Sequence, residues 1–150
     1  MIISSVAAPV LVELTQQLHR FFHCLDERRY DGVLDLFTDD CRWLRQGRWL
    51  EGKAAVRAAL KDRPAAFDTR HVISNAFVTD HAQDAQGARA VLEAYMTAYR
   101  YPAASAADAA PPCVSGPLRF NLTTTEFRRL PDQDWRIAEQ RMVTAFAFTQ

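Results

Sequence analysis

The sequence predicts an α+β fold, a cone-like, strongly curved antiparallel sheet wrapped around N-terminal helices with an enclosed pocket. Two observations predict it. Up to Leu60 most apolar residues recur at helical spacing, whereas from Arg70 onward they alternate with period two over long runs. Those runs are separated by polar turns, Asp80–Gly87 and the Pro131-Asp132 pair, in the manner of hairpins. Helices preceding strands is the segregated pattern of α+β domains. Long antiparallel strands twist too strongly to lie flat, so the sheet must curl, and the first helix is available to fill the curl. A cone lined by Phe, Trp and Tyr with few polar groups suits one small, mostly apolar molecule.

Leu11, Leu14, Leu18, Phe21, Phe22 and Leu25 form one helical stripe, which predicts a long amphipathic helix from Pro9 to Glu27. After Arg28-Arg29, a shorter helix carries Tyr30, Val33, Leu34 and Phe37 inward, with Asp31 near its start. Thr38-Asp39-Asp40 stops it. Cys41–Leu44 reads as a short strand ending near Gly47, and Trp49–Gly52 as a turn. Lys53–Asp62 is a third helix with Val56 and Leu60 inward, closed by Arg63-Pro64. The long strands are Arg70–Thr79, Ala88–Tyr101, Leu118–Arg129 and Trp135–Phe148, the last with Trp135, Ile137 and Val143 in phase. Ala103–Gly116, rich in Ala, Pro and Ser, is a loop.

Composition bounds the function. At 150 residues the chain, 1–150, is expected to be one domain with a substantial core. Net charge is +0 and no basic cluster stands apart, which disfavours nucleic-acid binding. No stretch approaches the roughly 18 apolar residues of a membrane span, and Met1–Pro9 lacks the basic start of a signal peptide. Cys24, Cys41 and Cys113 are expected as free thiols in a reducing cytoplasm. His19 and His23 have a spacing that metal sites use, but a solvated helix face explains them more cheaply. With no glycine-rich phosphate loop, zinc-type cluster or nucleophile elbow, neither cofactor nor metal is expected.

The chemistry-bearing candidate is His71, at the head of a β-branched run. Strand alternation puts His71, Ile73, Asn75 and Phe77 on one side. A histidine among apolar neighbours on a concave sheet is suited to proton transfer near neutral pH. Asp26 lies at the edge of the first helix's stripe, four residues after Phe22 and nearly above it. It is either the partner of His71 or a helix-end carboxylate paired with Arg29 or Arg70. Tyr95, Thr97, Tyr99 and Tyr101 share a face, so their phenols enter or leave the pocket together; Tyr95 or Tyr99 would polarise a carbonyl. Trp43, Phe37, Phe22 and Ile73 supply apolar wall, and Asn75 a polar contact.

Four segments in this order resemble the nuclear transport factor 2-like superfamily, and within it the SnoaL-like group: LDERRYDGVLDLFTDD (Leu25–Asp40), TRHVISN (Thr69–Asn75), EAYMTAYRY (Glu93–Tyr101) and DWRIAEQRM (Asp134–Met142). The first, second and fourth are also similar to small subunits of aromatic-ring-hydroxylating dioxygenases and, more loosely, to scytalone dehydratase. The resemblance implies the cone fold, one domain, and a sheet-to-sheet homodimer. It implies that His71, in the T-x-H motif, gives or takes a proton. Asp26 matches the family aspartate near the end of the first helix, four residues before an aromatic, here Tyr30. The family's second histidine has no counterpart; Thr97-Ala98-Tyr99 offers only a hydroxyl and a phenol there. The resemblance therefore implies a cofactor-free lyase or isomerase, dehydratase- or cyclase-like, acting on a small hydrophobic oxygenated ring. The alternatives are a non-catalytic subunit partnering a large dioxygenase subunit, with Arg128, Arg129, Arg136 and Arg141 at the interface, or a protein that only binds a hydrophobic ligand.

Overall fold

The computed structural model describes residues 6–105 and 110–149. Helices α1 (Ala8–Asp26), α2 (Tyr30–Asp35) and α3 (Gly52–Lys61) cover one face of a six-stranded sheet. The strands are β1 (Phe37–Arg45), β2 (Arg48–Glu51), β3 (Phe67–Asp84), β4 (Gly87–Pro102), β5 (Arg119–Arg129) and β6 (Arg136–Ala147). Their order across the sheet is β2-β1-β6-β5-β4-β3, curved and not closed. The expected sheet was wholly antiparallel; this one is mixed, because β1 pairs with β6 in parallel. These strands are far apart in sequence, so no hairpin imposes opposite directions.

Two early elements differ from expectation. Phe37 opens β1 rather than ending a helix, and Thr38–Asp40 runs within the strand. Trp49–Glu51 belongs to β2, which returns on β1 as a hairpin through the Gln46-Gly47 turn, both residues at positive φ. The loop expected at Ala103–Gly116 includes 106–109, which lie outside the described residues, as do 1–5 of the N-terminal segment.

The core is the stripe of α1 laid into the concave sheet. Leu14, Leu18, Phe21, Phe22 and Leu25 are buried; only Leu11, near the helix start, remains exposed. Phe21 meets Phe22, Phe37 and Trp43 edge-on at ring separations of 5.1, 5.7 and 5.4 Å. Beneath them β4 presents Ala90, Leu92, Ala94, Met96 and Ala98, all buried. The alternating alanines give large helix side chains room to approach the sheet.

The β3–β4 hairpin is tied at its tip by Asp84, whose Oδ1 accepts from the Gln86 and Gly87 N–H groups at 2.8 and 3.1 Å. Gly87 is required there: its φ is +147, and a Cβ would lie 2.4 Å from the Arg129 carbonyl oxygen. Farther along β3 the register slips between Ser74 and Phe77, with Asn75 at φ +53. This bulge turns the strand over. His71 and Ile73 face inward before it, Val78 after it, and Phe77 is exposed, unlike the unbroken alternation expected. A slip between Glu126 and Phe127 likewise leaves Val143 exposed while Ile137 and Trp135 are buried.

Arg128, Arg129 and Arg141 pair within the chain, with Glu126 and Asp40, Glu13, and Glu139 respectively, and Arg136 donates to the Asp35 carbonyl.

Phe21→Ala removes the hub of this aromatic cluster, and a loss of about 3–5 kcal/mol is expected in urea unfolding. Burial pushes the Cys41 thiol up to about 11, Cys24 is buried and Cys113 exposed. Ellman's reagent at mildly alkaline pH should therefore react quickly with Cys113 alone, and Cys113→Ser should abolish the fast phase.

Candidate functional site

The site begins where α1 stops. Asp26 is the last residue of the helix and is 8% exposed. Two residues on, Arg28 turns the chain with φ +56, a conformation that costs an L-residue roughly 1–2 kcal/mol. Its guanidinium offsets this by donating to the carbonyls of Pro64 and Phe67 at 2.8 and 2.5 Å and pairing with Asp68 at 3.4 Å. The end of α1 is thereby tied to the start of β3. Arg63 makes a second tie, donating to the Leu25 carbonyl through Nη1 and to Thr69 Oγ1, 2.8 Å away, through Nη2.

These ties bring Asp26 against His71. The Asp26 carboxylate accepts the His71 backbone N–H on Oδ2 at 2.8 Å, and Oδ1 lies 2.5 Å from His71 Nδ1. Thr69 Oγ1 donates to the same Oδ1 at 3.2 Å. Three donors thus converge on one carboxylate, the His71 N–H, His71 Nδ1 and Thr69 Oγ1, and the threonine hydroxyl in turn accepts from Arg63. Since an ionised carboxylate only accepts, Nδ1 of the neutral ring carries the proton, and Nε2 keeps a free lone pair. Nε2 has no hydrogen-bond partner among the described residues. Phe22 packs against the ring at 5.1 Å and fixes its tilt. The predicted partners Arg29 and Arg70 do not hold Asp26; Arg70 pairs with Glu27 instead.

His71 lines a cavity of about 520 Å³. Leu25, Trp43, Met96, Ala98, Leu118 and Met142 make its apolar wall. Thr69, Asn121 and Thr144 add polar atoms, and Asn121 is held by accepting from Thr144 Oγ1 at 2.8 Å and donating to the Met96 thioether at 3.3 Å. Arg45, Arg63, Arg100 and Arg119 also line it, and no aspartate or glutamate among the described residues does. Burial, then the like charges of Arg63 and Arg119, pull the Arg45 guanidinium below the usual arginine range. A second hollow, about 400 Å³, lies at the turn ends of β3 and β5 and contains none of the predicted catalytic or substrate-binding residues.

Of the predicted site residues, His71 and Trp43 line this cavity, with Asp26 hydrogen-bonded to His71 and Phe22 packed against the histidine ring. Phe37 and Ile73 pack into the core and do not line it. Asn75 sits exposed on the bulge. Tyr95 and Tyr99 were expected in the pocket and are not there: they alternate with Met96 and Ala98, so they face outward, where the Tyr95 ring lies 5.2 Å from Phe120. Thr69 and the cavity arginines were missed by sequence reasoning. Thr69, two positions before His71, shares its strand face, and Arg45 shares that of Trp43, which is the signal that finds them. No group of three or more His, Cys, Asp or Glu able to hold a metal ion occurs among the described residues. No helix there is long and apolar enough to cross a membrane.

A profile of the SnoaL-like domain matches residues 9–141. The chain belongs to the SnoaL-like domain family. Comparison of its sequence with curated proteins finds no match. Among solved structures, this SnoaL-like chain is similar to a proposed aromatic ring hydroxylase from Novosphingobium aromaticivorans, with 19% identity, TM-score 0.75, and 97% and 95% of the two chains covered. It is also similar to a proposed scytalone dehydratase from the same organism, with 16% identity, TM-score 0.73, and 95% and 88% covered. A third is the beta subunit of a proposed aromatic-ring-hydroxylating dioxygenase from that organism, with 16% identity, TM-score 0.71, and 97% and 95% covered. At such identities the likenesses establish the fold alone.

With ¹⁵N-labelled histidine, long-range proton–nitrogen spectra should show His71 in the Nδ1–H tautomer. Asp26→Asn, which replaces one acceptor oxygen by a donor, should shift the ring toward the Nε2–H form; an unchanged tautomer would refute the arrangement.

Proposed function

We propose that this SnoaL-like protein is a cofactor-independent lyase or isomerase, dehydratase- or cyclase-like, acting on a small, largely apolar, oxygenated ring compound. One observation carries the proposal: His71, oriented by Asp26 at 2.5 Å, lines the cavity, and its Nε2 has no hydrogen-bond partner among the described residues. A carboxylate that fixes the tautomer and stabilises the imidazolium is the arrangement by which an imidazole becomes an effective base.

In an elimination from a cyclic β-hydroxyketone, Nε2 takes the proton α to the carbonyl and the C–H electron pair becomes the enolate. The enolate collapses, the C–O bond breaks, and the imidazolium returns the proton to the departing hydroxyl as water. Asp26 balances the transient charge on the ring. Tyr95 and Tyr99 are on the far face of β4, so the oxyanion needs another donor. Asn121 Nδ2 is the best candidate, because the weak thioether acceptor that holds it is readily exchanged for an oxygen.

A second reading, a non-catalytic assembly subunit, is favoured by the outer sheet face, where Tyr95, Phe120 and Phe146 cluster and Phe120 stacks on Phe146 at 4.9 Å. In either case we infer a cytoplasmic homodimer that buries this face, as light scattering on the purified protein would register.

The acid–base proposal is tested by hydrogen–deuterium exchange α to the carbonyl of 2-tetralone in D₂O, followed by NMR. The wild type should exceed buffer, and His71→Asn, folded by circular dichroism, should lose roughly 10²–10⁴-fold. Wild-type exchange at the buffer rate would overturn it in favour of the subunit reading.

A further inference from the structure

Arginine in a cavity is expensive unless something neutralises it. Here four guanidinium groups line one cavity, and no aspartate or glutamate among the described residues lines it with them. Arg63 is occupied by the Leu25 carbonyl, Thr69 and the Tyr30 hydroxyl. Arg45, on the inward face of β1, lies over the Trp43 ring at 5.6 Å and has no hydrogen bond or ion pair among the described residues. Arg119, inward on β5, has none either, and Arg100 only covers the Phe67 ring at 5.0 Å. Elsewhere Arg28, Arg42, Arg57, Arg70, Arg89, Arg128, Arg129 and Arg141 pair with acids, and the arginines outside the cavity with no acid partner among the described residues, Arg20, Arg29, Arg48 and Arg136, are exposed to solvent. Arg45 and Arg119 differ from these in being only partly exposed.

We propose that the cavity recognises a ring compound bearing a carboxylate, with Arg45 and Arg119 gripping the acid while the ring lies along Trp43 and Met96 toward His71 Nε2. This rests on the acid–base reading above and narrows its substrate class. A planar fork of N–H donors matches the two oxygens of a carboxylate. One anion relieves the repulsion that Arg63 and Arg119 exert on Arg45. The apolar walls favour a monoanion carried on a hydrophobic body over a small, doubly charged, strongly hydrated one. Arg100, exposed at the rim, raises the local concentration of anions and so speeds entry.

The experiment is calorimetric titration with 2-naphthoate and its uncharged isostere 2-naphthamide at low ionic strength, with inorganic phosphate as competitor. Naphthoate should bind about tenfold or more tightly than naphthamide, as charge-assisted hydrogen bonds imply. Arg45→Met and Arg119→Met should each reduce that preference, and the wild-type comparison stands even if a variant fails to fold. Equal binding of acid and amide overturns the carboxylate assignment and leaves the ring pocket intact. Displacement of naphthoate by phosphate at equal concentration also overturns it, by showing a general anion site. Failure of both ring compounds to bind overturns this inference together with the ring-pocket reading it rests on.

Discussion

One carboxylate joins the two halves of this fold. Asp26 closes α1 and at the same time accepts the backbone N–H of His71 in β3. A negative group at a helix C-terminus is electrostatically misplaced, by about 0.3–1 kcal/mol on the usual scale. The surroundings compensate: His23 lies in the last turn, and the guanidinium groups of Arg28 and Arg63 gather around the helix end. Backbone strain at Arg28 belongs to the same compromise, since its left-handed turn falls two residues after Asp26, where the chain leaves α1. Local rules are broken together here, which is what a functional site imposed on a stable scaffold looks like.

The helix stripe and the strand alternation were legible because burial enforces them. Leu14, Leu18, Phe21, Phe22 and Leu25 are buried as their spacing requires. The meeting of Asp26 with His71 was legible only through the family's pattern, since the periodicity left Arg29 and Arg70 as equal partners. Alternation states which residues share a face of β4 but not which face turns inward. The aromatic set, Tyr95 and Tyr99, looked like pocket lining, yet α1 already fills the concavity with phenylalanines, and only the smaller set of Ala94, Met96 and Ala98 fits beneath them. Packing volume decided the matter, and volume is a property of two elements at once.

Bulges were the other source of error. The one extra residue at Asn75-Ala76 inverts the strand, so Asn75 and Phe77 leave the face that His71 occupies. Nothing in the Ser74-Asn75-Ala76 sequence announces this beyond the tolerance of asparagine for positive φ. The cavity arginines were overlooked for a simpler reason: in a neutral chain each arginine looks matched by an acid, and only the three-dimensional arrangement shows which have no acid partner among the described residues.

The double duty of Asp26 bears on how such a scaffold can evolve. A side chain that clamps a helix to a strand stays useful to a lineage that has given up turnover, because losing it would loosen the architecture as well as the chemistry. Persistence of the pair in a descendant would then be a record of mechanical need as much as of reactivity.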